Sequence, residues 1–256
     1  MVNKKQFGLC RLCLDEDVQL RKSHILPEFF YKPTYDQLGR TIPISTDRNV
    51  AKRPIQKGIR EHLLCAKCEL KLSKAETYVA RLLKKSMSIE NVNLFDEGLT
   101  IDSVNHSQLK LFQLMNLWRA SISSHSDYSD VKLGKHEEVI RKLLLADNPG
   151  PFDEYICFIS LLYTKARTDC KEMVLPFESY RKDNARIFRL IGGGCLWIYI
   201  VGSKSAIRQQ GAHKAFSKRT NGDRLIVPIA LMEDQPMIHG ALESFRDAGT
   251  LSRPLF

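Results

Sequence analysis

Four of the seven cysteines in this 256-residue chain share one spacing. Cys10 and Cys13 form one C-x-x-C pair, and Cys65 and Cys68 form a second. A C-x-x-C loop can turn both sulfur atoms toward one cation, and two such loops complete a closed tetrahedral Zn²⁺ site. Because four protein ligands leave no open coordination position, the spacing predicts structural zinc. A redox dithiol is the alternative, but it needs only one pair and a βαβ context that the sequence lacks.

The other three cysteines have no partner at ligand spacing. Cys157 and Cys195 lie in apolar runs, and Cys170 stands apart from both. An odd number of cysteines in a chain without an export signal argues against a disulfide framework. We therefore predict that these three are small core residues.

Basic residues are concentrated in the first third of the chain. The whole sequence carries a formal net charge of +10, and residues 1–88 contain 18 Lys and Arg against 9 Asp and Glu. This excess indicates a polyanionic partner, nucleic acid first, because phosphates attract Lys and Arg without special geometry. We expect five residues of this region to bind nucleic acid: Arg21, Lys22, Arg53, Lys57 and Arg60. A solvated basic face is the alternative, and zinc-bound thiolates would offset part of the charge.

Length and composition are those of an ordinary folded protein. The chain accommodates one large domain or a small module joined to a medium one, since domains usually have about 100–200 residues. Hydrophobic residues make up 43% and charged residues 27%, which excludes collagen-like and wholly disordered chains. No apolar run approaches the roughly 20 residues that cross a bilayer, and the amino terminus lacks the apolar stretch of a signal peptide. We therefore predict a cytoplasmic protein with no membrane partner.

Residues 1–88 form the first of two predicted domains. From residue 69 to residue 86, helix formers predominate and apolar residues recur at helical spacing. A helix is therefore expected directly after the second cysteine pair. Residues 39–60 are polar and interrupted by prolines, which predicts an exposed loop or a long hairpin.

Residues 89–256 form the second predicted domain, which combines helices with an antiparallel sheet. The segment 104–123 is apolar around most of its helical circumference and predicts a buried helix, whose Arg119 we expect to reach a neighbouring carboxylate. An amphipathic segment at 134–146 predicts another helix. Four apolar runs rich in aromatic and β-branched residues predict strands at 155–163, 186–191, 195–201 and 225–231. The predicted fold class is therefore α+β.

Two features of the second domain bear on phosphate binding. The triplet Gly192-Gly193-Gly194 lacks the Lys-Ser/Thr of a P-loop and the spacing of a dinucleotide-binding loop, so we interpret it as a hairpin turn or bulge. The stretch 202–221 carries six Lys, Arg and His residues that could contact a polyanion or simply be solvated. A protein partner that binds through this domain is a further expectation.

The first domain resembles the zinc-knuckle branch of the HNH, or ββα-metal, nucleases. The resemblance rests on the doubled C-x-x-C, on the run Ser23-His24-Ile25-Leu26-Pro27, and on Glu69, which follows the last knuckle cysteine. It covers about residues 8–86. The resemblance implies an N-terminal ββα module that hydrolyses phosphodiester bonds of DNA or RNA. HNH-like modules joined to unfamiliar domains also resemble bacterial systems of defence against phage.

Carried over to this chain, the family pattern implies three roles. His24 falls on the general base, which takes a proton from the water that attacks the phosphodiester. Glu69 falls on a ligand position for a catalytic Mg²⁺ or Mn²⁺. Glu61 lies near the position of the asparagine that orients the imidazole, so it is the second expected catalytic residue.

The chain departs from the family pattern at two positions. Ser23 stands where the family has an acidic metal ligand, and the orienting asparagine is absent. A second oxygen ligand must then come from elsewhere, and the candidates are Glu61, Glu76 and Glu28. Two of these roles also have a plainer interpretation: His24 as a knuckle-packing histidine whose imidazole bonds backbone, and Glu69 as a favourable charge at a helix amino terminus. His62 is a rival for the role of the base.

Two functional hypotheses of different classes follow. The first is a metal-dependent HNH-like nuclease. The second is a catalytically inactive, zinc-stabilised module that binds nucleic acid or a protein partner, which Ser23 and the missing asparagine favour. A hydrolase within residues 150–256 has little support because no nucleophile, base and acid occur there together.

Overall fold

The computed structural model describes residues 5–41, 55–86, 98–182, 184–203 and 220–238. It confirms the mixed α+β class. The helices are α1 (Glu28–Tyr31), α2 (Ala66–Ser86), α3 (His106–Ile122) and α4 (Lys135–Leu145). The first six strands are β1 (Gln6–Gly8), β2 (Val18–His24), β3 (Arg40–Thr41), β4 (Ile55–Gln56), β5 (Arg60–Cys65) and β6 (Leu99–Ile101). The others are β7 (Ile156–Tyr163), β8 (Leu175–Lys182), β9 (Ala185–Gly192), β10 (Cys195–Val201), β11 (Thr220–Asn221), β12 (Arg224–Val227) and β13 (Ile229–Leu231).

An antiparallel sheet in the order β1-β2-β5 forms the base of the N-terminal module. The register places Ser23 opposite Glu61 and His24 opposite Arg60, after a β-bulge between Arg21 and Lys22. Strand β5 ends at Cys65 and α2 begins at the next residue, so strand, knuckle and helix follow without a connecting loop. The strands β3 and β4 pair at the base of the predicted 39–60 hairpin, and residues 42–54 lie outside the described part.

Helix α2 forms where the sequence predicts it, beginning three residues earlier. Leu72, Val79 and Leu83 are buried along one side, at the spacing that places side chains on one helical face. Lys84 and Lys85 occupy the last turn, where positive charge is favourable to the helix dipole.

Helix α3 is buried along nearly its whole length, as predicted. Asn105 caps its amino terminus by accepting a hydrogen bond from the Gln108 N–H at 3.0 Å. The helix packs on α2 and presents Phe112 to Trp197 of β10, with ring centroids 5.6 Å apart. It is therefore the layer that joins the N-terminal module to the large sheet.

The large sheet has the strand order β13-β7-β10-β9-β8. Three of its four pairings are antiparallel, and β13 pairs with β7 in parallel. The prediction of one strand over 225–231 is corrected, because Pro228 separates β12, which pairs with β6, from β13. Proline has no N–H to donate to a ladder, so the chain changes sheet at this residue.

The glycine triplet forms the β9–β10 hairpin turn, as predicted. Gly193 and Gly194 have φ of +62° and +73°, which is the left-handed conformation that two-residue hairpin turns require. A Cβ on Gly193 would lie 2.9 Å from the Phe30 ring. The missing side chains therefore make room for an aromatic residue of α1.

One hydrophobic core crosses the predicted domain boundary at residue 88, which itself lies outside the described residues. Phe30 of the first region packs on Phe112 and Trp197 of the second, with ring centroids 6.1 and 5.8 Å away. No helix within the described ranges combines the length and apolar character needed to cross a bilayer.

Candidate functional site

The structure brings the two C-x-x-C pairs together. The sulfur atoms of Cys10, Cys13, Cys65 and Cys68 all lie within 4.8 Å of one another, and those of Cys13 and Cys65 are 4.0 Å apart. Tetrahedral zinc with Zn–S bonds of about 2.3 Å needs sulfur atoms about 3.8 Å apart. The cluster therefore fits a zinc knuckle and could hold a metal ion. Across the described ranges, no other group of three or more His, Cys, Asp or Glu side chains could do so.

Backbone hydrogen bonds shape the knuckles. The Leu14 N–H donates to the Cys10 carbonyl at 2.8 Å, which closes the first loop, and Leu14 adopts a φ of +65°. The Cys65 N–H lies 3.3 Å from the Cys10 sulfur, and the Arg11 N–H donates to the Leu63 carbonyl at 2.9 Å. The two pairs, far apart in sequence, are thus joined through backbone as well as through sulfur.

The thiols of the cluster differ in their acidity. Burial opposes ionisation of Cys10, but backbone N–H groups led by that of Cys65 outweigh it and lower the pKa of this thiol. Burial and neighbouring sulfur atoms raise the pKa of Cys13 to about 11 and raise that of Cys68 further. Four thiolates this close need a positive charge, which a bound metal ion would supply.

Helix α4 contacts the first knuckle. The Arg141 guanidinium donates to the Leu12 carbonyl and forms an ion pair with Glu138 at 2.6 Å. Glu138 first, and then the nearby Cys13, raise the pKa of Arg141. This helix therefore places a fixed positive charge beside the cysteine cluster.

The other three cysteines are buried core residues, as predicted. Burial alone raises the pKa of Cys195 to about 12, and burial is the main cause of the raised pKa values of Cys157 and Cys170. Among the described residues, none of the three belongs to a group of side chains that could hold a metal ion.

His24 lies at the end of β2, and a backbone carbonyl holds its ring. Nε2 is 2.8 Å from the Lys57 carbonyl oxygen, and because a carbonyl only accepts, Nε2 carries the proton of the neutral ring. Nδ1 therefore keeps its lone pair. Burial lowers the pKa of His24 below 6.5 and outweighs the Lys57 carbonyl and Glu28, which both raise it. The result is an oriented, neutral imidazole that can accept a proton near pH 7.

Glu69 lies in the first turn of α2, beside Ser23 and Arg119. Ser23 is 2% exposed, and its hydroxyl donates to one Glu69 oxygen. The Arg119 guanidinium lies 3.4 Å from the other Glu69 oxygen and 3.3 Å from Glu76, two turns along the helix. The prediction that Arg119 reaches a carboxylate is confirmed, and it reaches two. Both carboxylates are about a quarter exposed (26% and 25%), whereas the Arg119 side chain is 2% exposed.

Glu61 lies opposite Ser23 in the sheet, but its carboxylate binds the carboxyl end of α3. It accepts hydrogen bonds from the hydroxyls of Ser123 and Ser124 and from the N–H groups of Ser124 and His125. These bonds outweigh burial and lower its pKa. The structure thus places Glu61 on a helix end, and the group that holds the His24 ring is the Lys57 carbonyl.

Four of the five residues expected to bind nucleic acid lie on or next to the paired strands β2 and β5, and β2 ends at His24. Arg21, Lys22 and Lys57 are exposed, and Arg60 is half-buried directly across the sheet from His24. The positive charge of Arg60 contributes to lowering the His24 pKa. Arg53 lies outside the described residues. The β2–β5 strand pair therefore carries cationic groups on and beside the strand that ends at His24.

Sequence inspection missed the groups that complete the site. The Lys57 carbonyl is a backbone atom, and no residue type marks it. Glu76 was named only as one of three alternatives, although its position seven residues after Glu69 places both on one face of α2. The run Ser123-Ser124-His125, with its two hydroxyls at a helix end, is the one signal that could have indicated the partner of Glu61.

Comparison of the chain with protein-family models, with curated proteins and with solved structures finds no match in any of the three.

Proposed function

We propose that the chain hydrolyses phosphodiester bonds of DNA or RNA at a site centred on His24, as a divergent HNH-like nuclease. The main support is the state of the imidazole: the ring donates through Nε2 to Lys57, and its pKa is lowered by burial, so Nδ1 is free to accept a proton. A histidine that only packs and bonds backbone would have the same tautomer, so the cleavage assay below decides between the two roles. In this role His24 takes the proton of the attacking water, and the nearby charges of Glu28 and Glu76 favour the imidazolium that forms.

The basic residues around the β2–β5 strand pair hold the substrate in this proposal. Arg60 lies beside His24, Arg21 and Lys22 lie on the same strand as His24, and Lys57 precedes β5. Contacts of this kind to phosphate groups position the nucleic-acid backbone without selecting a base sequence. Both DNA and RNA therefore remain substrates to test.

The four cysteines bind one structural zinc ion in this proposal. Their sulfur geometry supports it, and so does the placement of Cys65 and Cys68 at the junction of β5 and α2. The ion would fix the start of α2, and with it Glu69, against the strand that carries His24. Its role is positional, since all four ligands are protein sulfurs.

A catalytic Mg²⁺ or Mn²⁺ would be held by Glu69, with Glu76 on the same helix face. Two partly exposed carboxylates fit this group, because Mg²⁺ commonly binds through one or two carboxylates and keeps several waters. The ion would supply Lewis-acid stabilisation of the phosphate. Arg119 keeps the two carboxylates in place from the buried side.

The test is a cleavage assay on plasmid, single-stranded DNA and RNA with Mg²⁺, Mn²⁺ or EDTA. We expect metal-dependent cutting that His24→Ala reduces by about 10²- to 10⁴-fold, the usual contribution of a general base. His62→Ala is the matched control, because His62 lies on the neighbouring strand opposite Lys22 and should retain activity. Cutting by His24→Ala at the wild-type rate, with zinc content and folding intact, would refute the assignment.

The second candidate function is a zinc-stabilised module that binds nucleic acid without cleaving it. The observation that favours it is the Arg119 guanidinium, which offsets one of the two negative charges of Glu69 and Glu76 and so weakens the need for another cation. It requires that zinc-loaded protein cuts no substrate yet binds nucleic acid. Arg21→Gln and Lys22→Gln should then weaken that binding and flatten its salt dependence. A protein partner and a role in defence against phage stay predictions.

A further inference from the structure

A basic cleft lies in the second region of the chain, where the loop before α4 meets the ends of β8, β9 and β10. Its volume is about 450 Å³, within the range of sites for small organic ligands. Five lining residues carry basic side chains: Lys132, Lys135, His136, Arg181 and Arg186. No Asp or Glu is among the described residues that line it. The cleft therefore concentrates positive charge in a concave site.

Two of these cations face each other across the sheet. Arg181 of β8 and Arg186 of β9 are directly opposite in the antiparallel register. Like charges in this position destabilise a sheet unless something neutralises them. Within the described part of the chain, no ion pair joins a carboxylate to either arginine or to the two lysines of the cleft. An anionic ligand would supply a counter-charge to these groups.

Arg186 is held in place ahead of any ligand. One terminal nitrogen donates to the Lys132 carbonyl at 3.1 Å, and the guanidinium lies 5.7 Å from the Phe188 ring centroid. Its Nε is buried and has no hydrogen-bond partner among the described atoms. Because the side chain is already ordered, little conformational entropy is lost when it binds an anion.

The lining also includes apolar side chains. Leu133, Phe188 and Val201 contribute to the wall beside the arginines. An inorganic anion has no apolar part to contact this wall, whereas an organic phosphate has one. The combination of four permanent cations, a concave shape and an apolar wall is typical of sites for phosphorylated small molecules.

We propose that this cleft binds a phosphorylated ligand of nucleotide size that carries at least two phosphate groups. The paired arginines and the two lysines bind the phosphates, and the apolar wall contacts the rest of the ligand. The site is built from α4 and β8–β10, so it does not depend on the chemistry proposed around His24.

Calorimetric titration at physiological salt, without divalent cations, tests this proposal with ATP, pyrophosphate, inorganic phosphate and adenosine as probes. We expect ATP to bind best, pyrophosphate next, inorganic phosphate weakly and adenosine not at all. Arg181→Gln and Arg186→Gln should each weaken ATP binding by on the order of tenfold, the usual worth of a hydrogen bond to a charged group. Lys142→Gln, which removes an exposed charge from the last turn of α4, should leave it unchanged.

Thermal unfolding of the same variants guards against loss of fold. Because the two arginines repel each other, Arg181→Gln should leave the melting temperature of the free protein unchanged or higher, while both single variants should show a smaller rise with ATP. Failure of both ATP and pyrophosphate to bind at millimolar concentration would overturn the proposal, as would undiminished binding by the double arginine variant. The proposal would also be overturned, in favour of a nucleic-acid surface, if the protein did not bind ATP but bound a DNA oligonucleotide only when both arginines were present.

Discussion

The guanidinium of Arg119 lies 3.4 Å from the carboxylate of Glu69, the residue that follows the last knuckle cysteine. The pair joins the buried helix α3 to the first turn of α2. Because Glu69 also accepts the Ser23 hydroxyl, it connects the zinc knuckle, the strand that carries His24 and the core of the second region. The residue that we propose as a metal ligand is thus also a point at which the two halves of the chain are held together.

Removal of the Arg119 charge should destabilise the protein. Arg119→Met leaves Glu69 and Glu76 close together without a cation, and we expect a loss of roughly 2–3 kcal/mol in the free energy of unfolding, reduced from the fully buried case because both carboxylates are partly exposed. Arg119→Lys keeps the charge but not the planar fork, so it should lose less. Urea unfolding at pH 7 measures both. A stability of Arg119→Met within 0.5 kcal/mol of wild type, roughly the effect of a neutral surface change, would contradict this account.

The cysteine cluster predicts one zinc ion per chain and a fold that depends on it. Cys68→Ser should lower the bound zinc well below one equivalent and lower the melting temperature strongly, because structural zinc supplies folding free energy. Cys170→Ser is the control, since Cys170 is also buried but belongs to no group of described side chains that could hold a metal ion. Elemental analysis of protein purified without chelator gives the zinc content. Equal zinc in both variants would rule out the four-cysteine site.

The lowered pKa of His24 sets a pH dependence for cleavage. The base must be neutral to accept a proton, so the rate should rise with pH along a limb whose midpoint lies below 6.5, the ordinary value for histidine. Rates of cleavage between pH 5 and 8 measure the midpoint. An acid limb centred above pH 6.5 would mean that a different group acts as the base.

The same shift predicts a pH dependence of stability. Between the lowered pKa of His24 and 6.5, the unfolded chain binds a proton that the folded chain does not, so stability rises with pH through this window and falls as the pH drops. His24→Gln should flatten this slope. His136→Gln should also flatten it, because burial lowers the pKa of His136, but it should not change cleavage. A His24→Gln slope equal to that of wild type would show that the ring titrates normally.

Gly58 directly follows Lys57, whose carbonyl holds the His24 ring. Its φ is +73°, and a Cβ there would lie 2.6 Å from the Tyr31 ring. Gly58→Ala should therefore cost about 1–3 kcal/mol of stability and shift the Lys57 carbonyl, which lowers cleavage as well. Gly222→Ala is the matched control, since Gly222 has a φ of +61° with open space around it. Equal effects of the two substitutions would remove the steric argument.

Short-range patterns predicted much of this structure. The C-x-x-C spacing identified the four clustered cysteines, and the apolar periodicity identified helices α2, α3 and α4 within a few residues. These features depend on neighbours along the chain, so their signal lies in the local sequence. Strand β8 (Leu175–Lys182) was missed because it begins with Leu-Pro and ends in exposed polar residues, as an edge strand does.

The sequence by itself determined the four cysteines that cluster, the fold class, the buried helix and the basic character of the first third. Tertiary structure alone decided what the titratable residues contact: the Lys57 carbonyl for His24, the end of α3 for Glu61, and Arg119 for Glu69 and Glu76. It also placed Arg181 opposite Arg186 in a cleft that no Asp or Glu lines among the described residues. The physical reason is that these groups meet through strand register and helix packing, which depend on the whole core rather than on any one segment.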